Sequence, residues 1–154
     1  MLTQSQLREI LTYNPVTGLW FNKKNKEVGC HDHGYVRILI NGKKYYAHRL
    51  AWLYMTGEWP PVIIDHKNLI GTKNDWDNLR LATKSTNGAN LKITKRNKTG
   101  LKGVSICRNT GKYRADITVQ EKGLNLGRFD CPAAAHFAYQ IAAEKAFGAY
   151  SRVA

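Results

Sequence analysis

Cysteine pairs are missing from this chain. Its three cysteines, Cys30, Cys107 and Cys131, are odd in number and far apart. No Cys-x-x-Cys occurs, which argues against a disulfide framework and against a cysteine-rich zinc ribbon. Long apolar runs are missing too: none reaches the roughly 18 residues that span a bilayer. The first residues, MLTQSQLREI, lack the basic-then-apolar layout of a secretory signal, so a cytoplasmic address and no membrane partner are expected. Acidic residues are scarce. Eleven Asp and Glu face 24 Lys and Arg, a formal net charge of +13. That excess favours a polyanionic partner, nucleic acid before a membrane surface. It is uneven: residues 1–91 hold 12 Lys and Arg against 7 Asp and Glu, and the shorter 92–154 holds 12 against 4. Apolar material is not scarce. At 43% of 154 residues it suffices for a globular core, arranged as one ordinary domain or two small ones.

In chain order, residues 3–11 begin with a capping residue and place Leu7, Ile10 and Leu11 at helical spacing. Asn14-Pro15 and Thr17-Gly18 predict a turn, and Leu19 to Phe21 a short strand. Residues 22–34, rich in Lys, Asn, Gly and His, read as a loop. Its run Cys30-His31-Asp32-His33 has metal-like residue types, but four adjacent ligands do not easily converge on one ion. Tyr35 to Ile40 suits a strand, Asn41-Gly42 is a strong hairpin signal, and Lys43 to Ala47 is the return strand. A short apolar helix follows from His48 to Met55, closed by Gly57 and Trp59-Pro60-Pro61. His48 reads either as a packed or capping histidine or as a contributor to a site. Strands are expected at Val62–Asp65 and Leu79–Ala82, then a helix from about Thr83 to Leu91 with Thr83 or Ser85 as N-cap. Lys92 to Gly100 is basic and polar, either a solvated loop or an arm whose Lys92, Lys95, Arg96 and Lys98 meet phosphates. The last segment predicts a strand at Val104–Ile106, a second at Tyr113–Gln120 with strict alternation, and a third at Leu124–Phe129 after a turn at Glu121–Gly123. A helix then starts at Pro132, with Ala134, Phe137, Ala138, Ile141 and Ala142 as its apolar stripe.

The stretch 62–90, VIIDHKNLIGTKNDWDNLRLATKSTNGAN, carries the chemistry. An apolar run ends in Asp65-His66, a turn-rich segment follows, and Asn87 falls inside the next helix. Phosphodiester hydrolysis needs water deprotonated, phosphate charge neutralised and the leaving 3′ oxygen stabilised. A histidine near its unperturbed pKa suits the first task. A hard divalent cation on oxygen ligands suits the others, and Asp65 and Asn87 can supply such oxygens. His66, next to Asp65 on an extended segment, points to the other side of the chain and suits a base. Asn78 can bond backbone in the turn and fix the loop that aims His66. By residue type alone, an ordinary turn remains the other reading, because Asn in turns is common.

Residues 62–90, with HRLAW at 48–52, IDHKN at 64–68 and NLR at 78–80, resemble the HNH or ββα-metal endonucleases of the phage and homing branch. The resemblance implies His66 as general base, Asn78 as structural asparagine, and Asp65 and Asn87 as metal ligands. Asn in place of His at the last position favours Mg²⁺, or Mn²⁺, over a softer ion; the family's zinc cysteines are absent. Asn90, one helical turn on, lies on a similar face. Residues 102–150 resemble an AP2 DNA-binding domain in KGV at 102–104, GKYRADI at 111–117, LGRFD at 126–130, the alanine-rich helix and FG at 147–148. That family lays its sheet in the major groove. By alternation Arg114, Asp116 and Thr118 face outward, with Lys112, Lys122, Asn125 and Arg128 close by. Ser105 and Cys107 stand where plant members place arginines, so that base-reading pattern does not carry over.

The expectation is therefore an α+β chain. Residues 1–91 form a ββα-metal nuclease domain with an N-terminal hairpin and helix elaboration, 92–101 a basic linker, and 102–154 a three-stranded antiparallel sheet packed on one helix. The expected partner is double-stranded DNA, with no small-molecule cofactor, acting as monomer or homodimer in the cytoplasm, that of a bacterial host cell if the chain is phage-encoded. A sequence-specific DNA-binding regulator without catalysis is the alternative.

Overall fold

The structure is a computed structural model describing residues 1–152; the last two residues of the expected 102–154 domain lie outside the described residues. It mixes helices and strands, and its contacts divide it into two compact units, residues 1–82 and 83–154. No helix among the described residues is long and apolar enough to cross a membrane.

The first unit opens with α1 (Gln4–Ile10), started by a capping box in which Thr3 and Gln6 each satisfy the other's backbone N–H. Strands β1 (Leu11–Tyr13), β2 (Trp20–Asn22) and β3 (Glu27–Val28) form one small antiparallel sheet. A second is made by β4 (Cys30–Asp32), β5 (Tyr35–Ile40) and β6 (Lys43–Tyr46). Much of the expected 22–34 loop is thus strand. The Cys30–Asp32 run is an edge strand paired to β5, and the chain reverses at His33-Gly34, both with positive φ. Helix α2 (Ala47–Thr56) ends on Gly57 in the left-handed conformation. Strands β7 (Ile63–His66) and β8 (Leu79–Ala82) pair antiparallel, with Asp65 opposite Arg80 and His66 opposite Leu79. One core joins these pieces. Leu7, Tyr13, Trp20, Ile38, Leu50, Leu53, Ile64 and Leu79 are all buried in it. The β7–β8 pair is therefore anchored by the N-terminal elements, since a two-stranded ribbon alone is marginal in water.

The second unit begins with α3 (Lys84–Asn90), where Thr83 is the N-cap and exchanges side-chain and backbone hydrogen bonds with Thr86. Strands β9 (Val104–Ile106), β10 (Tyr113–Val119) and β11 (Lys122–Phe129) form an antiparallel sheet in the order β11-β10-β9. The third strand starts earlier than expected. Val119 pairs with Lys122, so the turn is Gln120-Glu121 and Gly123 lies inside the strand.

Helix α4 (Pro132–Phe147) packs on this sheet through Ala135, Tyr139, Ala143 and Phe147. The expected stripe on Phe137 and Ile141 is the wrong face: these two are 63% and 55% exposed. An alanine-rich helix is weakly apolar all round, so its large residues do not mark the buried side. Ala89 of α3 packs into the same cluster as Ile117, Tyr139, Ala143 and Phe147. Packing thus assigns α3 to the unit of the C-terminal sheet.

Candidate active site

The apolar half of β7 explains where the acid and the imidazole sit. Ile64 is buried in the core, and the strand keeps its direction for two more residues, carrying Asp65 and His66 inward. Both are buried, at 4% and 6% exposure. Asp65 meets Arg80 across the β7–β8 ladder. The Arg80 Nε and Nη2 donate to Asp65 Oδ2 at 2.9 and 2.8 Å. A charged pair held by two donors from one guanidinium is geometrically fixed.

His66 is held from the other side. Its Nε2 and the Asn74 Oδ1 share a hydrogen bond of 3.1 Å. Burial pushes the imidazole pKa down, and the Asn74 bond and the charges of Asp65 and Asp75 oppose that. Beside it stands His48, edge-on, with ring centroids 5.1 Å apart. Tyr35 lies 6.0 Å from His66 and 5.5 Å from His48, and Tyr46 stacks on His48 at 5.3 Å. His48 is itself buried. Desolvation, then the charges of His66 and Arg49, hold its pKa down at about 3, so it is neutral at physiological pH.

Asn78 is the last residue of a single helical turn, Trp76–Asn78, and is buried. Its Oδ1 accepts from the Asn68 N–H at 3.0 Å. Its Nδ2 donates to the Lys73 carbonyl at 2.7 Å and to Asn68 Oδ1 at 3.1 Å. Its own carbonyl accepts from the Lys67 N–H at 2.9 Å. One side chain thus ties both ends of the loop between β7 and β8. Asp65, His66 and Asn78 come together in the first unit. Asn87 belongs to α3 in the second unit and is half-buried, while Asn90 is buried.

Residues 45–89 match the family model described as HNH endonuclease. No curated protein matches the chain. A solved structure described as "DNA binding and cleavage by the HNH homing endonuclease I-HmuI" is similar at 20% identity with a TM-score of 0.43. The match covers 82% of this chain and 75% of that one, and a likeness this distant says nothing about function.

Within the matched segment, Arg80 and Asn74 escape sequence reasoning. Nothing in the residue type singles out one arginine in a basic chain, and only the strand register sets Arg80 opposite Asp65. Asn74 looks like any turn asparagine. Among the described residues, no group of three or more His, Cys, Asp and Glu is arranged to hold a metal ion.

The expected DNA-facing residues lie in the second unit. Lys92, Lys95, Arg96 and Lys98 are exposed, as are Lys112, Arg114, Thr118, Lys122, Asn125 and Arg128. Alternation on β10 buries Ala115 and Ile117 and turns Arg114 and Thr118 to solvent. On that outer face Asp116 takes the Arg114 Nε at 2.6 Å and the Asn125 Nδ2 at 3.0 Å, which orders both donors. Lys112 pairs with Asp130 at 2.9 Å.

Proposed function

We propose that this chain is a metal-dependent DNA endonuclease that hydrolyses phosphodiester bonds with His66 as general base. The supporting observation is the adjacency of Asp65 and His66 at the end of β7. Both are buried and both are held by named partners, inside the segment that matches HNH endonucleases.

Asp65 and Asn87 would hold one divalent cation, Mg²⁺ by preference and Mn²⁺ next, because a carboxylate and an amide oxygen are hard donors. What supports such an ion is the donor chemistry alone. Asp65 is a buried carboxylate whose charge partner, Arg80, contacts Oδ2, and Asn87 is the more accessible asparagine of α3. When bound, the cation neutralises charge on the phosphate oxygens and stabilises the leaving 3′ oxygen. His66 takes a proton from water on a ring nitrogen; the water oxygen bonds to phosphorus and the bond to the 3′ oxygen breaks. Asn78 keeps the loop beside His66 in place through its bonds to Asn68 and Lys73.

The DNA duplex is held by the Lys92, Lys95, Arg96 and Lys98 arm as linker and by the outer face of β9–β11. That sheet acts in the manner of an AP2 domain, through Lys112, Arg114, Thr118, Lys122, Asn125 and Arg128. One site per chain predicts nicking by a monomer, and a homodimer would cut both strands. A phage or homing origin agrees with the residues 48–52 and 64–68. One observation favours the competing reading, a DNA-binding regulator without catalysis: Arg80 already balances the Asp65 charge that a cation would need.

Plasmid nicking separates the two. Cleavage of supercoiled DNA in Mg²⁺ that stops with EDTA is expected. DNA binding without cleavage in any divalent metal, on DNA containing the selected binding site, would establish the regulator. His66→Ala is expected to keep DNA affinity while cleavage falls at least about a hundredfold, the usual scale for a lost general base. Undiminished cleavage by that variant removes His66 from the role.

A further inference from the structure

The bond between Asn74 and His66 has a direction that its surroundings decide. Asn74 is 2% exposed, deep in the first unit. Its Nδ2 lies 3.2 Å from the Thr72 carbonyl oxygen. A carbonyl only accepts, so the amide must present its NH₂ there and its oxygen to His66. Turned over, the amide would set two acceptors against each other at Thr72, at a side chain closed off from solvent. With Oδ1 facing His66 Nε2 at 3.1 Å, that nitrogen must be the donor. In a neutral imidazole the lone pair is then on Nδ1.

The Asn74 backbone is fixed as well. Its carbonyl accepts the Tyr13 hydroxyl at 2.5 Å. Tyr13 is a core residue of β1, packed on Trp20 with centroids 4.8 Å apart. Gly18, at φ +73°, lies so close that a Cβ there would collide with the Asn74–Asp75 backbone. The N-terminal elements therefore reach the imidazole through one asparagine.

We infer that Asn74, anchored by Tyr13, is the positioning residue that fixes His66 as its Nε2–H tautomer and so makes Nδ1 the atom that takes the proton from water. This rests on the reading of His66 as general base. After proton transfer both ring nitrogens carry hydrogen, and the Nε2–H bond to Asn74 becomes charge-assisted, which favours the product of that step. The role parallels the outer partner that orients a ligating or catalytic histidine elsewhere, whose loss costs roughly 10- to 100-fold.

The test uses the full chain at neutral pH. Long-range ¹H–¹⁵N spectra of the wild type report which His66 ring nitrogen bears the proton, before any variant is made. Protonation at Nε2 is expected, and protonation at Nδ1 overturns the inference. Asn74→Leu, close in size but without an acceptor, should lower kcat for DNA cleavage about 10- to 100-fold with KM nearly unchanged, and should mix the two tautomers. Asn74→Asp, which keeps an acceptor facing Nε2 but loses the donor to the Thr72 carbonyl, should recover the Nε2–H tautomer at a lower melting temperature. An Asn74→Leu protein that keeps both the tautomer and kcat also overturns it. Should that variant not fold, the wild-type spectrum decides alone. If His66→Ala cleaves as well as wild type, the general-base reading fails, whatever the tautomer.

Discussion

His48 is 8% exposed, and its Nδ1 has no hydrogen-bond partner among the described residues. Its pKa stands at about 3, chiefly through burial, against about 6.5 for an unfolded histidine. Between these values the unfolded chain binds a proton that the folded chain refuses, so stability rises with pH there. The contribution is complete above about pH 6.5 and is lost as pH falls toward 3. The wild type should thus lose several kcal/mol across that window, at about 1.4 kcal/mol per pH unit. His48→Phe, which keeps a ring between Tyr46 and His66, should flatten the slope. Urea midpoints measured at several pH values check this, and an equally steep slope in the variant would assign the acid sensitivity to other groups. At this scale the chain is unevenly legible. Asp65 and His66 stand out because an apolar run stops on them. Arg80 and Asn74, which hold them, do not, because one depends on strand register and the other on a loop folded back by Asn78. His48 reads in the sequence as either packed or functional, and it is packed against His66.

Among the strands, three reversals use two central residues with positive φ: His33-Gly34, Asn41-Gly42 and Gln120-Glu121. Such turns match the right-handed twist of the strands they join. Only Asn41-Gly42 advertises itself in the sequence. His33-Gly34 is hidden in a stretch that reads as loop, and Gln120-Glu121 lacks glycine altogether, so Gly123 draws the expected turn too far along the chain. Glu121 at φ +65° occupies a region costly for a side chain bearing Cβ. Glu121→Gly should therefore stabilise the protein by about 0.5–1 kcal/mol, after glycine's greater freedom in the unfolded chain is offset. Chemical denaturation reads this directly. An unchanged or lowered midpoint would mean that the left-handed conformation at Glu121 is not strained. The helices repeat the lesson. α2 ends where Gly57 predicts, since a glycine signals geometry. The buried face of α4 does not follow from its sequence, since alanine signals none.

For the whole molecule, the helix that carries Asn87 packs with the C-terminal sheet, a grouping that sequence patterning cannot supply. Periodicity shows that α3 has an apolar side; it does not show that Ala89 meets Ile117, Tyr139 and Phe147. Removing the C-terminal residues would therefore take away the packing of α3 along with the basic surface, and lost cleavage would be uninformative. Charge removal is the cleaner probe, and the lysines are not equivalent. Lys102 donates to the Ala89 and Leu91 carbonyls at the end of α3, where a cation complements the helix terminus, and burial lowers its pKa. It serves the fold. Lys92, Lys95, Arg96 and Lys98 are exposed and open to phosphate. Replacing these four by Gln should weaken DNA binding and flatten its dependence on salt. The slope of log K against log salt should fall by about 0.9 for each duplex phosphate left without its cation. Thermal stability should hardly change. Lys102→Gln should show the opposite pattern, with a lower melting temperature and the wild-type salt slope. A fourfold variant with the wild-type slope would place the electrostatic footprint on the β10–β11 face instead, with Arg114 and Arg128 the next to remove.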